Sequence, residues 1–347
     1  MDLCASGKCY GKRRSAIVLF GRLPTPGKAK TRLGRSIGND AAAGIYKDMA
    51  EGAIASACRA SPNVTFLCSE ENDVPEVEKW IRSVTASEEG EEGTQRVKVG
   101  CQSQSADLGE RLRDALQDAF SGGNFDEVII AGTDIPNLSP DVFVLGFLRL
   151  RSFDVVLGPS DDGGYYMVGV RQNRQANAQM DKFFQGIHWS TRIVYREQVK
   201  NAESLNLSVC PHRLLPSLSD IDTFEDAKIW LEKMHKASPS NFFSQNGDGY
   251  GGGDDGASDG KTREAKGASG LSFHEQHKRR LVRIYEKLES CVKKVDGEAR
   301  TDSGERKDML LMGILRYLTP IKGRRENKAA EDHAVTSTSA SHSRRLF

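Results

Sequence analysis

The chain has 347 residues, and 38% of them are hydrophobic. This length would suffice for two average domains, but the low apolar content favours one large domain with appendages. With 49 Lys and Arg against 48 Asp and Glu, the formal net charge of +1 gives no global field that would favour nucleic acid or a membrane surface as a partner.

Cysteine usage and targeting signals point to the same compartment. The seven cysteines contain no C-x-x-C pair, which argues against a zinc site or a disulfide framework and favours a reducing environment. Residues 1–14 lack the apolar segment of a secretory signal, and no apolar run is long enough to span a membrane. We therefore expect a cytoplasmic protein without stable membrane insertion.

Strand and helix signals alternate from residue 15 to about residue 158, which predicts a three-layer α/β fold with a mostly parallel sheet. Apolar runs predict strands at 15–20, 64–68, 97–99, 127–131, 153–157, 163–170 and 205–210. Helical spacing and capping signals predict helices at 39–60, 75–83, 107–120, from 139 onward, and at 224–234.

Composition divides the chain into five parts. We expect a flexible N-terminus over 1–14, a main α/β domain over 15–237, a flexible Gly/Ser/Asp-rich linker over 238–270, a helical appendage over 271–320 and a disordered tail over 321–347. The appendage would consist of a basic amphipathic helix and a second helix at 309–318. The apolar face of the first helix would dock on the main domain or on a protein partner, and it comprises Leu281, Ile284, Tyr285, Leu288, Val292 and Val295.

The first predicted strand leads into a loop over residues 21–33 that carries four basic side chains: Arg22, Lys28, Lys30 and Arg32. These cations would repel one another without an anion between them, so the pattern indicates a phosphate site at the carboxyl edge of the sheet. A solvated basic turn is the alternative. Neither a Walker A loop nor a G-x-G-x-x-G fingerprint follows this strand.

Carboxylates follow later strands. Asp134 would emerge at the end of the strand at 127–131, where it could hold Mg²⁺ or Mn²⁺ beside a phosphate. Its alternative role is to cap the next helix, although Ser139 is better placed for that. Asp220 and Asp222 have period-2 spacing and would face the same side as further metal ligands, unless Asp222 caps the helix that follows.

A third group of residues would shape the substrate side of the site. Asp162 supplies a carboxylate beside Gly163 and Gly164, which allow close approach of a ligand to the backbone. Tyr165, Trp189 and Thr191 are candidates to contact sugar or acceptor, and His188 is a weaker candidate for proton transfer. The alternatives are an ordinary Asp-Gly turn and a core tryptophan.

Five motifs in order resemble the DUF2064 group of GT-A-type transferases. They are P-x-P-G-x-x-K-T-R-L at 24–33, G-T-D-I-P at 132–136, G-P-x-x-D-G-G-Y-Y at 158–166, W-S-T at 189–191 and D-I-D-T-x-x-D at 220–226. The resemblance covers about residues 15–235. It implies a nucleotide-diphospho-sugar transferase fold in which Lys30 and Arg32 contact the nucleotide phosphates and Asp134 holds the metal.

The expected activity is metal-dependent transfer of a sugar from a nucleotide sugar to an unknown acceptor, with catalysis by Asp134 and Asp162. The loop that contains Asp134 reads D-x-P rather than the D-x-D of many GT-A glycosyltransferases. In this it resembles the loop of nucleotidyltransferases, so the alternative activity is nucleotidyl transfer with release of pyrophosphate from an NTP. A non-catalytic nucleotide-binding module with a partner-binding helical tail is the third alternative.

Overall fold

A computed structural model describes residues 13–86, 97–123, 125–172, 179–236, 273–295 and 297. Six strands form one sheet: β1 (Ser15–Gly21), β2 (Val64–Cys68), β3 (Lys98–Cys101), β4 (Glu127–Gly132), β5 (Val155–Pro159) and β6 (Tyr165–Arg171). Their order across the sheet is β3-β2-β1-β4-β6-β5. The pairs β1–β2, β1–β4 and β2–β3 are parallel, whereas β6 runs antiparallel to both β4 and β5.

The described residues form nine α-helices. They are α1 (Thr31–Ile37), α2 (Asn39–Ala60), α3 (Val74–Ala86), α4 (Leu108–Gly123), α5 (Pro140–Leu150), α6 (Met180–Phe183), α7 (Val194–Ser204), α8 (Phe224–Lys236) and α9 (Phe273–Val295). Short 3₁₀ turns occupy Glu71–Asp73 and His212–Leu214. None of these described helices combines the length and apolarity needed to cross a membrane.

Side chains alternate across the sheet and build one core on each face. Ile17 and Leu19 of β1 pack with α2, α3 and α5 on one face. Val18, between them in sequence, packs with α4, α6 and α7 on the other. The period-2 geometry of a strand accounts for this division, since successive side chains point to opposite faces. The predicted three-layer, mostly parallel α/β fold is confirmed.

The C-terminal helix α9 adds a further packing layer. Leu281, Ile284, Tyr285 and Leu288 are buried in a cluster with residues of α1, α2 and α8. The amphipathic pattern is therefore matched by burial at these four positions, while Val292 is only partly buried and Val295 is 47% exposed. The predicted helix at 309–318 lies outside the described residues, as do the expected tail, the whole predicted linker and most of the N-terminus.

Two local predictions were wrong. The basic loop does not extend to residue 33, because helix α1 begins at Thr31. The predicted strand at 205–210 is absent from the described sheet, where only Val209 forms an isolated bridge to Val155. Its apolar residues Leu205 and Leu207 are nevertheless buried, because they pack with the core beneath α7.

Candidate functional site

Buried hydroxyl groups connect the carboxyl ends of β1 and β4. The Tyr46 hydroxyl accepts a hydrogen bond from the Arg22 backbone N at 2.9 Å and lies 2.9 Å from Thr133 Oγ1. Thr133 Oγ1 also donates to the Phe20 carbonyl at 3.2 Å. Burial raises the pKa of Tyr46, so its hydroxyl stays neutral and holds the start of the basic loop beside the start of the Asp134 loop.

Lys30 lies at the centre of the site. It immediately precedes α1 with φ 50° and ψ 47°, a left-handed conformation that is unusual for a lysine. Its ammonium is buried and lies 2.8 Å from Asp134 Oδ2 and 3.4 Å from Asp222 Oδ1. Burial alone would lower the pKa of Lys30, but these carboxylates outweigh it and raise the pKa. Lys30 is therefore charged. Its ion pairs link the loop before α1 to the loop that contains Asp134 and to the segment at 220–222.

Asp134 forms an ion pair with Lys30 and does not cap a helix. Burial alone would raise its pKa, but the charge and hydrogen bond of Lys30 outweigh burial and lower the pKa. The helix that follows begins at Pro140 with Ser139 preceding it, so Asp134 does not cap it. The Asp134 carbonyl accepts a hydrogen bond from Ile221 N at 3.3 Å, which places residues 220–222 against the same loop.

Asp222 also belongs to the ion-pair network. Its Oδ2 accepts a hydrogen bond from Arg32 Nη1 at 2.9 Å. Helix α8 is capped instead by Thr223 and Asp226: Asp226 N donates to Thr223 Oγ1 at 3.2 Å and Thr223 N donates to Asp226 Oδ2 at 2.7 Å. Because Thr223 and Asp226 cap the helix, the Asp222 carboxylate can pair with Lys30 and Arg32.

The other basic residues form an exposed rim around Lys30. Arg22, Lys28 and Arg32 are exposed, and Arg22 Nη1 donates to the Lys28 carbonyl at 3.1 Å. The structure thus separates the four predicted phosphate ligands into one buried lysine and three exposed cations. We refer to Arg22, Lys28 and Arg32 as the cationic rim.

Asp220 is half-buried and has no hydrogen-bond donor among the described residues. Burial and the nearby carboxylates, Asp134 foremost, raise its pKa to about 6. Within the described part of the chain, no three His, Cys, Asp or Glu side chains are already arranged to hold a metal ion. The assignment of a metal to Asp134, Asp220 and Asp222 therefore stays a prediction, although the three residues do lie together.

A pocket of about 280 Å³ opens beside these carboxylates. It lies between the end of β4, the start of β6, the start of α4 and the segment at 189–194. Seven of the residues predicted for the site line it: Asp134, Asp162, Gly164, Tyr165, Trp189, Thr191 and Asp220. The apolar residues Leu108, Leu112, Val168 and Val194 form much of its wall. From the sequence we had placed Leu108 and Leu112 on the core face of a helix, with nothing to indicate a pocket.

The turn between β5 and β6 places Asp162 in this pocket. Asp162 Oδ1 accepts a hydrogen bond from Gly164 N at 2.9 Å. Gly163 has φ +91°, and a Cβ there would lie 2.3 Å from the Arg192 carbonyl oxygen. Gly163 is therefore needed for packing against the chain near residue 192, and its role in the close approach of a ligand stays a prediction.

Two neighbouring titratable residues are engaged elsewhere. Asp161 accepts hydrogen bonds from Ser217 and Ser219, each at 2.6 Å, and pairs with Lys233. His188 is exposed, with Nδ1 2.7 Å from Glu197 Oε1, and it does not line the pocket. Of the catalytic candidates Asp162 and His188 named from the sequence, Asp162 lines the pocket and His188 does not.

Comparison with known protein families gives one match. Residues 56–191 match DUF2064, described as an uncharacterized protein conserved in bacteria. This segment, 136 of the 347 residues, is similar to the DUF2064 family. The family resemblance inferred from the five motifs is confirmed, and the matched residues include Asp134 and the whole turn from Asp161 to Tyr165.

Similar solved structures include a "putative nucleotide-diphospho-sugar transferase" from Desulfovibrio desulfuricans G20, with 24% identity, a TM-score of 0.55 and coverage of 84% of this chain and 100% of that chain. A cytidylyltransferase from Leptospira borgpetersenii has 16% identity, a TM-score of 0.40 and coverage of 84% and 99%. The similarity to the Desulfovibrio structure shows that this chain has the same fold as that protein. No curated protein matches the sequence.

Proposed function

We propose that this protein is a transferase that moves a sugar from a nucleotide diphospho-sugar to a second substrate. The observation that carries this proposal is the division of one sheet edge into two compartments. The cationic rim is separate from the pocket of about 280 Å³, since none of its three residues lines that pocket. Asp134 pairs with Lys30, which lies between the rim residues in sequence, and it also lines the pocket.

The cationic rim suits a diphosphate. Arg22, Lys28 and Arg32 are exposed on one short segment, where a bound dianion would offset their mutual repulsion. Arginine can also donate paired hydrogen bonds to phosphate oxygens. Lys30 has a different role, since its ammonium is buried and fixes Asp134 and Asp222 in position.

The proposal includes a divalent cation, Mg²⁺ or Mn²⁺, held by Asp134, Asp220 and Asp222. Carboxylate oxygens are the ligands that these ions prefer. Asp220 lies in an excess of negative charge and has no hydrogen-bond donor among the described residues, so a cation at this position would be electrostatically favourable. When bound, it would neutralise negative charge on the departing diphosphate.

Asp162 is the proposed general base. One of its oxygens is fixed by Gly164 N, and the side chain lines the pocket. A hydroxyl group of the second substrate would give its proton to Asp162 as its oxygen bonds to the anomeric carbon. The bond from that carbon to the diphosphate would break, and a nucleoside diphosphate would be released.

Nucleotidyl transfer is the second candidate, and one feature favours it. The loop after β4 reads Asp134-Ile135-Pro136, so it lacks the second aspartate of a D-x-D motif. In that reaction a phosphate of the second substrate would attack the α-phosphorus of an NTP and release pyrophosphate. The same cationic rim would bind the triphosphate.

Product analysis tests the proposal. The full chain is incubated with Mg²⁺ or Mn²⁺ and with separate panels of nucleotide sugars and NTPs, alongside candidate acceptors. We expect acceptor-dependent release of nucleoside diphosphate from one nucleotide sugar. Pyrophosphate release from an NTP would instead establish nucleotidyl transfer.

Arg32 offers a specific test of the cationic rim. Arg32→Glu should weaken nucleotide binding by roughly tenfold or more, because a charge-assisted hydrogen bond is worth roughly 1.5–3 kcal/mol. Arg35→Glu is the matched control, since Arg35 is also exposed on α1 and makes the same charge change. Equal effects of the two substitutions on calorimetric nucleotide affinity would contradict a specific phosphate contact at Arg32.

A further inference from the structure

The charge of the pocket lining differs from that of the cationic rim. Of the twenty residues around the pocket, all within the described part of the chain, none is Lys, Arg or His. Three are aspartates: Asp134, Asp162 and Asp220. An anionic group placed beside Asp162, which is not one of the proposed cation ligands, would meet a like charge without a compensating cation in the lining, which is unfavourable in a partly desolvated space.

The walls of the pocket are apolar and partly aromatic. The Tyr165 and Trp189 rings meet edge to face, with centroids 6.4 Å apart and planes at 75°. The Tyr165 hydroxyl donates to Gln198 Oε1 at 3.1 Å, so its polar end is already satisfied by α7 and its ring contributes apolar surface. Leu108 and Leu112 of α4 add aliphatic surface.

The carboxylates give this apolar pocket a polar end that accepts hydrogen bonds. Asp162, which is not one of the proposed cation ligands, keeps one carboxylate oxygen beyond its bond to Gly164 N. A ligand that pairs with this carboxylate must supply a hydrogen-bond donor. Apolar walls with a carboxylate at one end are typical of sites that bind an apolar body through a few directed polar contacts.

We propose that this pocket binds the second substrate, and that this substrate has an apolar body, a hydroxyl or amine head group and no negative charge. Its role as acceptor rests on the proposed transferase function. Its chemical class rests only on the pocket lining and can be measured without turnover. Phosphorylated or carboxylated acceptors are disfavoured by the Asp162 carboxylate.

Calorimetry of the full chain with three probes of equal body size tests the inference: 2-phenylethanol, 2-phenylethylamine and phenylacetate. We expect the alcohol and the amine to bind and the carboxylate to bind about tenfold or more weakly, a difference of about 1.4 kcal/mol. Phenylacetate binding as tight as that of the alcohol and amine would overturn the inference.

A charge placed in the pocket lining identifies where the probes bind. Thr191 is exposed, lines the pocket and donates to the His188 carbonyl at 2.6 Å, so Thr191→Arg adds a cation without disturbing the core. It should raise phenylacetate affinity and lower 2-phenylethylamine affinity severalfold. Val144→Arg is the control, because Val144 is an apolar, 43% exposed residue of α5 that does not line the pocket.

The outcomes separate this inference from the proposed function. An unchanged ratio of amine to carboxylate affinity in Thr191→Arg would place the probes elsewhere and overturn the inference. Failure of all three probes to bind at millimolar concentration would also overturn it, while nucleoside diphosphate release could still be observed. Binding of 2-phenylethanol and 2-phenylethylamine without any release of nucleoside diphosphate would support the pocket assignment and count against the proposed transferase function.

Discussion

Lys30 combines an unusual backbone conformation with a buried charge. Its left-handed φ and ψ cost roughly 1–2 kcal/mol for a residue with a Cβ, so the surrounding contacts must offset that strain. Those contacts include the Asp134 and Asp222 carboxylates at 2.8 and 3.4 Å. The ion pairs thus explain both the position of Lys30 and the acidity of Asp134.

Replacing Lys30 by methionine should destabilise the fold. The substitution keeps the volume of the side chain but leaves two neighbouring carboxylates without its charge, which we expect to cost roughly 2–4 kcal/mol. Lys28→Met is the control, because Lys28 is exposed in the same loop. Urea denaturation measures the free energy of unfolding, and equal values for the two variants would refute a stabilising role for the buried ion pairs.

Asp161 should make stability depend on pH in the acidic range. Hydrogen bonds from Lys233, Ser217 and Ser219 lower its pKa to about 2 from the usual 3.8. Because the folded pKa lies below the unfolded pKa, this contribution is present above pH 3.8 and is lost as the pH falls toward about 2. Asp161 is exposed, so solvent screening limits the effect to about 1 kcal/mol or less.

Asp161→Asn tests this dependence. Its melting temperature should be below that of the wild type at pH 7. The difference should shrink as the pH falls below about 4, since the Asp161 carboxyl of the unfolded wild-type chain then binds a proton while the folded carboxylate, with its pKa of about 2, is still largely ionised. Thermal unfolding followed by circular dichroism between pH 3 and pH 7 measures it. A difference that stays constant over this range would show that the ionised form of Asp161 is not what stabilises the fold.

The β5–β6 turn depends on a glycine for two separate reasons. Gly163 has φ +91°, and a Cβ there would lie 2.3 Å from the Arg192 carbonyl oxygen. Gly186 also has a positive φ, +70°, but a Cβ there would meet nothing within 4 Å. Comparing alanine at the two positions therefore separates backbone strain from steric conflict.

We expect Gly186→Ala to cost roughly 1 kcal/mol, the strain of placing a Cβ at positive φ. Gly163→Ala should cost at least about 1–2 kcal/mol more, because the backbone near residue 192 must also shift, and this shift would displace Asp162 and Trp189 in the pocket. Chemical denaturation and binding of 2-phenylethanol measure the two consequences. Equal destabilisation by both variants would show that the contact with Arg192 has little energetic weight.

The strands and helices differ in how far the sequence determines them. Buried parallel strands such as β1 and β4 are continuous apolar runs, so they were predictable from local pattern. Helix α1 was not, because it begins after a left-handed lysine that makes no side-chain cap. The antiparallel direction of β6 depends on the turn at 160–164 and on pairing with β4. An apolar run in the sequence indicates neither of these features.

The same distinction applies to the candidate site. The motifs identified charged residues at strand ends, and the fold brings them together: Lys30 and Asp134 are 104 positions apart in sequence yet share a hydrogen bond. Local sequence could not reveal the Tyr46 hydroxyl that joins β1 to β4, because nothing in the sequence of α2 distinguishes Tyr46 from the other buried residues of that helix. It also could not reveal that Lys30 is buried while Arg22, Lys28 and Arg32 are exposed.

At the scale of the molecule, α9 packs behind the site. Its buried face shares one cluster with Leu33 of α1, with Trp230 of α8 and with Tyr46, whose hydroxyl holds the basic loop. Lys287 and Arg283 of α9 also pair with the buried Asp48 of α2. The C-terminal helix is therefore part of the packing that supports the loop, as well as an appendage in sequence.

Leu288→Ala should accordingly destabilise the whole domain. Leu288 is completely buried, and removing it from a packed cluster typically costs roughly 2–5 kcal/mol. Val295→Ala is the control on the same helix, since Val295 is 47% exposed and exposed substitutions usually change stability by about 0.5 kcal/mol or less. We expect a single cooperative unfolding transition that shifts only in Leu288→Ala. A separate low-temperature transition, with the main transition unchanged, would show that α9 unfolds independently of the α/β core.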